Sequence, residues 1–192
     1  MNTDHHHFAD NGCRERLCVA SYQEPGVMEW VRRSGIEACV YNADRSRLIW
    51  EEGMIELPNQ AREASQYLHH IIRNYGEFRD HEIFLQGDPL PHNPVIMEQL
   101  ALSPWRGKRF EALSFPFIPF NSNSFLPHSE HLIPFGLEIG VKEFKGWTMG
   151  AMFAVSRDAI EVFPLHWWQE LLEKVIAEPW SPWVMEQLWM SI

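Results

Sequence analysis

The sequence predicts a three-layer α/β sandwich around a mostly parallel central sheet, and three observations carry that expectation. Short apolar runs recur as strand candidates at Leu17-Cys18-Val19-Ala20-Ser21, Ile36 to Asn42 and Ile83-Phe84-Leu85, with polar residues after each. Helical patterns lie between them, and strand, helix, strand, helix, strand is the order of right-handed parallel crossovers. The third run opens abruptly into Gln86-Gly87-Asp88-Pro89. A carboxylate on a glycine-containing loop just past a buried strand sits where open α/β sheets bind ligands.

Composition bounds the problem. A chain of 192 residues is most simply one domain with a substantial core, assigned here to residues 17–192. Met1 to Arg16 is polar, carries His5-His6-His7 and is expected to be a disordered tail. The net charge of -10 repels polyphosphate backbones and argues against nucleic acid and anionic membrane surfaces as partners. No apolar run approaches the roughly 18 residues that span a bilayer, and no basic-then-apolar leader opens the chain. Cys13, Cys18 and Cys39 leave one thiol over from any internal disulfide and form no Cys-x-x-Cys pair, so a reducing cytoplasm is the expected compartment.

The elements follow in order. After the first strand, Val27 to Arg33 suits a short helix closed by Gly35. Ile36 to Asn42 is the second strand, and Asp44 to Gly53 a polar connection. Asn59 is the expected cap of the central helix, whose Ala61, Ala64, Leu68, Ile71, Ile72 and Tyr75 recur at three-and-four spacing. Arg62, Gln66, His69 and Arg73 fall on its wet side, and Gly76 ends it. Asn93-Pro94 opens a short helix with Val95, Ile96 and Leu100 inward. Trp105 to Lys145 is irregular: Phe115-Pro116-Phe117-Ile118-Pro119-Phe120 favours extended edge geometry and is expected to form a wall on the sheet or a substrate lid. Gly150 to Ser156 returns to strand, with Ser156 capping Arg157 to Ile160. Pro164 starts and Pro179 ends a helix with Leu165, Trp168, Leu171, Leu172, Val175 and Ile176 inward, and Ser181-Pro182 opens a last one.

Three segments carry a resemblance. Asn59-Gln60-Ala61-Arg62-Glu63, the helix Tyr67-Leu68-His69-His70-Ile71-Ile72-Arg73-Asn74-Tyr75 and the strand end Phe84-Leu85-Gln86-Gly87-Asp88 resemble the N-x-G-R-E, Y-L-x-x-I-x-x-N-Y and F-x-Q/H-G patterns of the domain-of-unknown-function family 3431. Ala61 replaces that family's glycine, and Ser21 replaces the arginine of its A-R-Y-N-E loop. Weaker likenesses, at Gly150 to Ser156 and in the E-x-L-W ending at Glu186, extend it along the chain. The layout is also similar to nucleotide-sugar glycosyltransferases of the GT-A type, a Rossmann-like half-fold here joined to the Pro/aromatic-rich insertion. In those enzymes an Asp-x-Asp loop holds a metal and a sugar diphosphate, and here Gln86-Gly87-Asp88 takes its place with one carboxylate.

The resemblance implies a transferase moving a sugar from a nucleotide diphosphate to an unknown acceptor. Asp88 orients the diphosphate, with His92 as a second ligand of a divalent cation, manganese or magnesium. Arg62 adds charge at the positive end of the helix dipole, and Glu63, Glu130 or Glu186 deprotonates the acceptor. Asn59, Gln86, Gly87 and Glu24 line the substrate, and Trp147 is the first candidate for sugar stacking. His128 and His131 are further candidate metal ligands. The competing class is a non-catalytic carbohydrate- or protein-binding domain on a degenerate transferase scaffold. A metal-dependent hydrolase using Asp88, His92 and His128 is the third reading.

Overall fold

A computed structural model describes residues 14–43, 51–120 and 127–192. The histidine triplet, Cys13, most of the Asp44 to Gly53 connection and Asn121 to Ser124 lie outside these residues. The first strand, β1 (Glu15–Ser21), starts two residues earlier than expected, inside the segment read as tail. It is followed by α1 (Val27–Ser34), which Gly35 closes in the left-handed conformation at φ 68°, and by β2 (Glu37–Asn42). A two-residue strand, β3 (Ile55–Glu56), then precedes the central helix α2 (Arg62–Arg73) and β4 (His81–Gln86). Too short to show periodicity, β3 was not readable in the sequence.

The second half contributes α3 (Ile96–Leu102), β5 (Phe110–Ala112), β6 (Phe117–Pro119), α4 (Leu132–Glu138), β7 (Gly146–Thr148) and β8 (Phe153–Ser156). It closes with α5 (Arg157–Ile160), α6 (Leu165–Ala177) and α7 (Ser181–Leu188). Ser156 caps α5 as its position predicts, its Oγ accepting from the Ala159 amide at 3.3 Å. Asn93 is buried and accepts from the Val95 amide, but α3 starts at Ile96 and leaves Val95 exposed.

Six strands form one mixed sheet in the order β3-β2-β1-β4-β8-β5. Pairings β3-β2, β2-β1 and β1-β4 are parallel, whereas β8 runs antiparallel to both β4 and β5. Alternation along β1 divides the interior between two faces. Leu17 and Val19 join α1 and α3 through Val27, Val31, Ile96 and Leu100 on one side. Cys18 and Ala20 join α2, α4, α6 and α7 on the other. This is the helix-sheet-helix layering expected of the chain. The proline-aromatic segment is extended and pairs β6 with β7 in a separate two-stranded sheet. Phe115 and Phe117 stay exposed, so they are no wall on the main sheet, while Phe120 stacks on Phe144 at 5.3 Å.

The connectivity creates one privileged place. The chain leaves β1 through α1 towards β2 on one face, then returns from β3 through α2 on the opposite face to β4, which lies on the other side of β1. The helices after β1 and β4, α1 and α3, lie on the same face, so the loops leading to them run side by side at the strands' carboxyl ends, and a cleft opens there beside the start of α2.

Candidate functional site

Two polar systems pack against α2, and they are built differently. Towards the start of the strands, Glu82 of β4 is wholly buried and accepts four donors. Arg16 Nη2 and the Arg79 amide, both at 2.8 Å, bind Oε1, and Arg16 Nε at 3.0 Å and His70 Nε2 at 2.8 Å bind Oε2. Every lone-pair direction of the carboxylate is used. These donors, chiefly His70 and Arg16, outweigh burial and hold the Glu82 carboxyl below its ordinary value. Burial keeps His70 neutral by depressing its pKa despite Glu82. With Nε2–H donating to the Glu82 carboxylate, Nδ1 accepts from the Tyr41 hydroxyl at 3.1 Å. Arg16 also donates to Asn74 Oδ1, and the group locks α2 onto β1 and β4. The sequence reading missed it because charged Glu82 and His70 look like solvent positions until a partner is in view.

At the other end of the same helix lies a cleft of about 400 Å3 lined by Tyr22, Glu24, Asn59, Arg62, Glu63, Gln66 and Gln86. The loops after β1 and β4 meet here, the Gly87 amide donating to the Ala20 carbonyl at 2.8 Å. A Cβ on Gly87 would stand 2.7 Å from Glu24 Oε2 and 3.3 Å from Ser21 Cα, so a side chain there would displace the Glu24 carboxylate. Trp30 of α1 holds the loop from behind by donating to the Gly87 carbonyl at 2.9 Å. Glu24 Oε2 is fixed by the Ser21 hydroxyl at 3.1 Å and the Tyr22 amide at 2.5 Å.

The α2 entry supplies the rest. Asn59 is exposed at the cleft and does not cap the helix; the cap position is Ala61, which makes no side-chain cap bond. Ala61 and Arg62 both take left-handed φ, 48° and 52°, a conformation costing about 1–2 kcal/mol per non-glycine residue. That geometry accounts for a glycine at position 61 in the resembling pattern. The Arg62 guanidinium lies 5.7 Å from the Trp183 ring centroid and 3.7 Å from Glu63 Oε2. Glu63 itself is only 11% exposed, and burial, reinforced by nearby Glu186 and opposed by Arg62, pushes its carboxyl up to about 7.

Gln66, expected on the wet side, is 2% exposed and lines the cleft. Its Nε2 reaches the Ser21 carbonyl at 3.5 Å, and its Oε1 has no hydrogen-bond partner. One residue on, the buried Tyr67 hydroxyl also lacks a partner and is raised by burial and by Glu63 and Glu186. Glu186 of α7 accepts from the Gly150 amide at 2.6 Å, and burial raises its pKa too. The sequence signal for this surface was the polar series Glu63, Gln66, His70, Asn74, spaced at three and four along one helix and overshadowed by its apolar companion.

The other predicted site residues scatter. Asp88 is exposed and is absent from the cleft lining, so the loop acid and the Arg62 helix mouth do not share a cavity wall. The half-buried His92 packs against Gly150, where a Cβ would stand 2.7 Å from its Cγ. Trp147 is buried in β7 and has no open face for a sugar. Glu130 is exposed and groups with His128 and His131, all ligand atoms lying within 4.8 Å of one another. Among the described residues this is the only such cluster of three, so Asp88 and His92 find no third ligand and the Asp88, His92, His128 set is not assembled. Cys18 and Cys39 face each other in register on β1 and β2 as free thiols, with burial raising both pKa values.

Residues 17–101 match the family described as "Protein of unknown function (DUF3431)". No curated protein and no solved structure matches the chain. The DUF3431 match runs from β1 through most of α3 and so holds both loops of the crevice and all of α2. It stops short of the Gly150 to Ser156 and Glu186 segments, which the sequence resemblance had included. Among the described residues, no helix is long and apolar enough to cross a membrane.

Proposed function

We propose that the crevice between β1 and β4 binds a nucleotide sugar and that the chain transfers its sugar to an acceptor hydroxyl, a GT-A-like activity. The observation that carries this reading is the convergence of Arg62, Glu63 and Gln66, from the first turns of α2, on one cleft with Glu24 and Gln86. In this reading the acceptor oxygen attacks the sugar's anomeric carbon and the bond from that carbon to the diphosphate oxygen breaks. The acceptor proton passes to Glu63, whose pKa near neutrality suits a general base. The leaving diphosphate takes the bonding electron pair and meets Arg62 and the positive end of the α2 dipole. Gln66 shapes the cleft wall, and Gln86 and Glu24 contact the sugar or ribose. A volume near 400 Å3 lies in the range of small-molecule sites.

Asp88 and His92 do not form a cation site that fits this cleft, so no step is routed through manganese or magnesium. The non-catalytic carbohydrate-binding reading draws on the exposed position of Asp88, outside the crevice it was expected to serve. Thermal denaturation with UDP- and GDP-sugars tests both. The transferase reading expects a raised melting temperature that Arg62→Ala abolishes and Asp88→Ala preserves, together with release of nucleoside diphosphate that Glu63→Gln reduces at least a hundredfold. Stabilisation without turnover on any hydroxyl acceptor favours the binding module, and no stabilisation by any nucleotide sugar, with or without manganese, ends the proposal.

A further inference from the structure

A second cavity lies elsewhere, under β8 and β5 on the α6 side of the sheet. It measures about 520 Å3 and shares no lining residue with the crevice. Phe110 and Phe153, stacked at 5.1 Å, line it together with Trp189, whose ring lies 5.4 Å from Phe153, and Phe163 and Trp168 add a further aromatic pair. Aromatic walls of this extent remove a large apolar area from water when a ligand covers them.

Its rim has the opposite chemistry. Arg109, Lys142 and Lys145 border the opening, all exposed, and none makes an ion pair among the described residues. Of the other exposed cations, Arg79, Lys108 and Lys174 are engaged by Glu37, Glu111 and Glu138, whereas Arg32, Arg33 and Arg73 make no ion pair among the described residues; only the rim gathers three such cations around one cavity. Glu143 is the single acid among the lining residues. Three cationic side chains against one acidic side chain give this lining a positive balance on a chain of net charge -10. Trp189, 6% exposed, adds its indole ring to the apolar lining.

We propose that this cavity is a binding site for an amphipathic monocarboxylate, with an aromatic or medium-chain apolar body held among the phenylalanines and tryptophans and its carboxylate at the basic rim. The apolar body provides most of the affinity. The three unpaired cations select the anion over a neutral or cationic molecule of the same shape.

Calorimetric titration of the full chain with decanoate, decanol and decyltrimethylammonium tests the assignment. Decanoate is expected to bind at least tenfold more tightly than decanol, with the cation weakest. The charge reversal Lys142→Glu/Lys145→Glu, at two exposed positions, is expected to weaken decanoate at least tenfold and to leave decanol unchanged. Ala159→Trp, at a half-buried lining position, is expected to abolish both. Because such a filled cavity can also misfold, the charge-reversed chain is checked for an unchanged melting temperature and carries the decisive comparison. Equal affinity for decanoate and decanol, indifference of decanoate to the reversed rim, or no binding of decanoate at all overturns the proposal.

Discussion

Glu82 and Glu63 both lie against α2, yet the protein holds them in opposite states. Glu82 receives four donors and is kept ionised below the ordinary carboxylate range. Glu63 has Arg62 at 3.7 Å, is crowded by Glu186 and is raised to about 7. Within two turns of one helix, then, a completed network gives way to an incomplete one, where Gln66 Oε1 and the Tyr67 hydroxyl also lack partners. Buried polar groups in folded proteins are nearly always satisfied, so the incomplete end is where the fold leaves room for something it does not itself provide. The complete end is structural, and it holds the incomplete end in place.

The sharpest way to break that contrast is at Glu82. Glu82→Ala leaves the Arg16 guanidinium buried without its acid and is expected to cost about 3–5 kcal/mol in chemical denaturation. A loss under about 1 kcal/mol means the network does not hold the helix. The two acids also carry opposite pH signatures. Glu82, depressed on folding, contributes stability that is present above the unfolded carboxylate value and lost as pH falls through its folded pKa. For Glu63, raised from 4.5 to about 7, the folded state binds the extra proton between those values, so its contribution is lost as pH rises through that window. At about 1.4 kcal/mol per pKa unit the loss is on the order of 3 kcal/mol, and Glu63→Gln is expected to remove that slope from the stability profile between pH 4.5 and 7. An unchanged slope places the titrating group elsewhere.

Gln66→Leu separates the two ends more gently. Because it deletes an unpaired buried acceptor, it is expected to stabilise the chain by roughly 1 kcal/mol while removing the nucleotide-sugar shift. A destabilised variant that still binds the donor contradicts the assignment. Ala61→Gly is the smallest test. It relieves left-handed strain at the α2 cap but adds freedom to the unfolded chain, for a net gain of about 0.5 kcal/mol. The melting temperature should rise slightly with the donor shift intact.

Much of the frame was legible in the sequence because its signals are local. Apolar runs marked β1, β2 and β4, the Gly35 and Ser156 caps stand where their chemistry puts them, and the three-and-four spacing located α2. The assignment of polar faces was not local and failed accordingly: Gln66 is buried because α2 crosses the sheet between β1 and β4, a fact of strand order rather than of helical period. Asp88 shows the same limit from the other side, since position just past a strand does not say which way a loop turns.

The chain's residues by themselves determined an α/β body with helices on both faces, an acidic balance, and a central helix bearing the charged entry Arg62-Glu63. Only the tertiary structure decided that Glu186 from the last helix comes up beside Glu63, that β8 runs against its neighbours, and that a basic-rimmed aromatic cavity opens beneath it. The reason is physical: propensity and periodicity act over a few residues, whereas burial, pKa and the meeting of side chains depend on which distant segments share a surface.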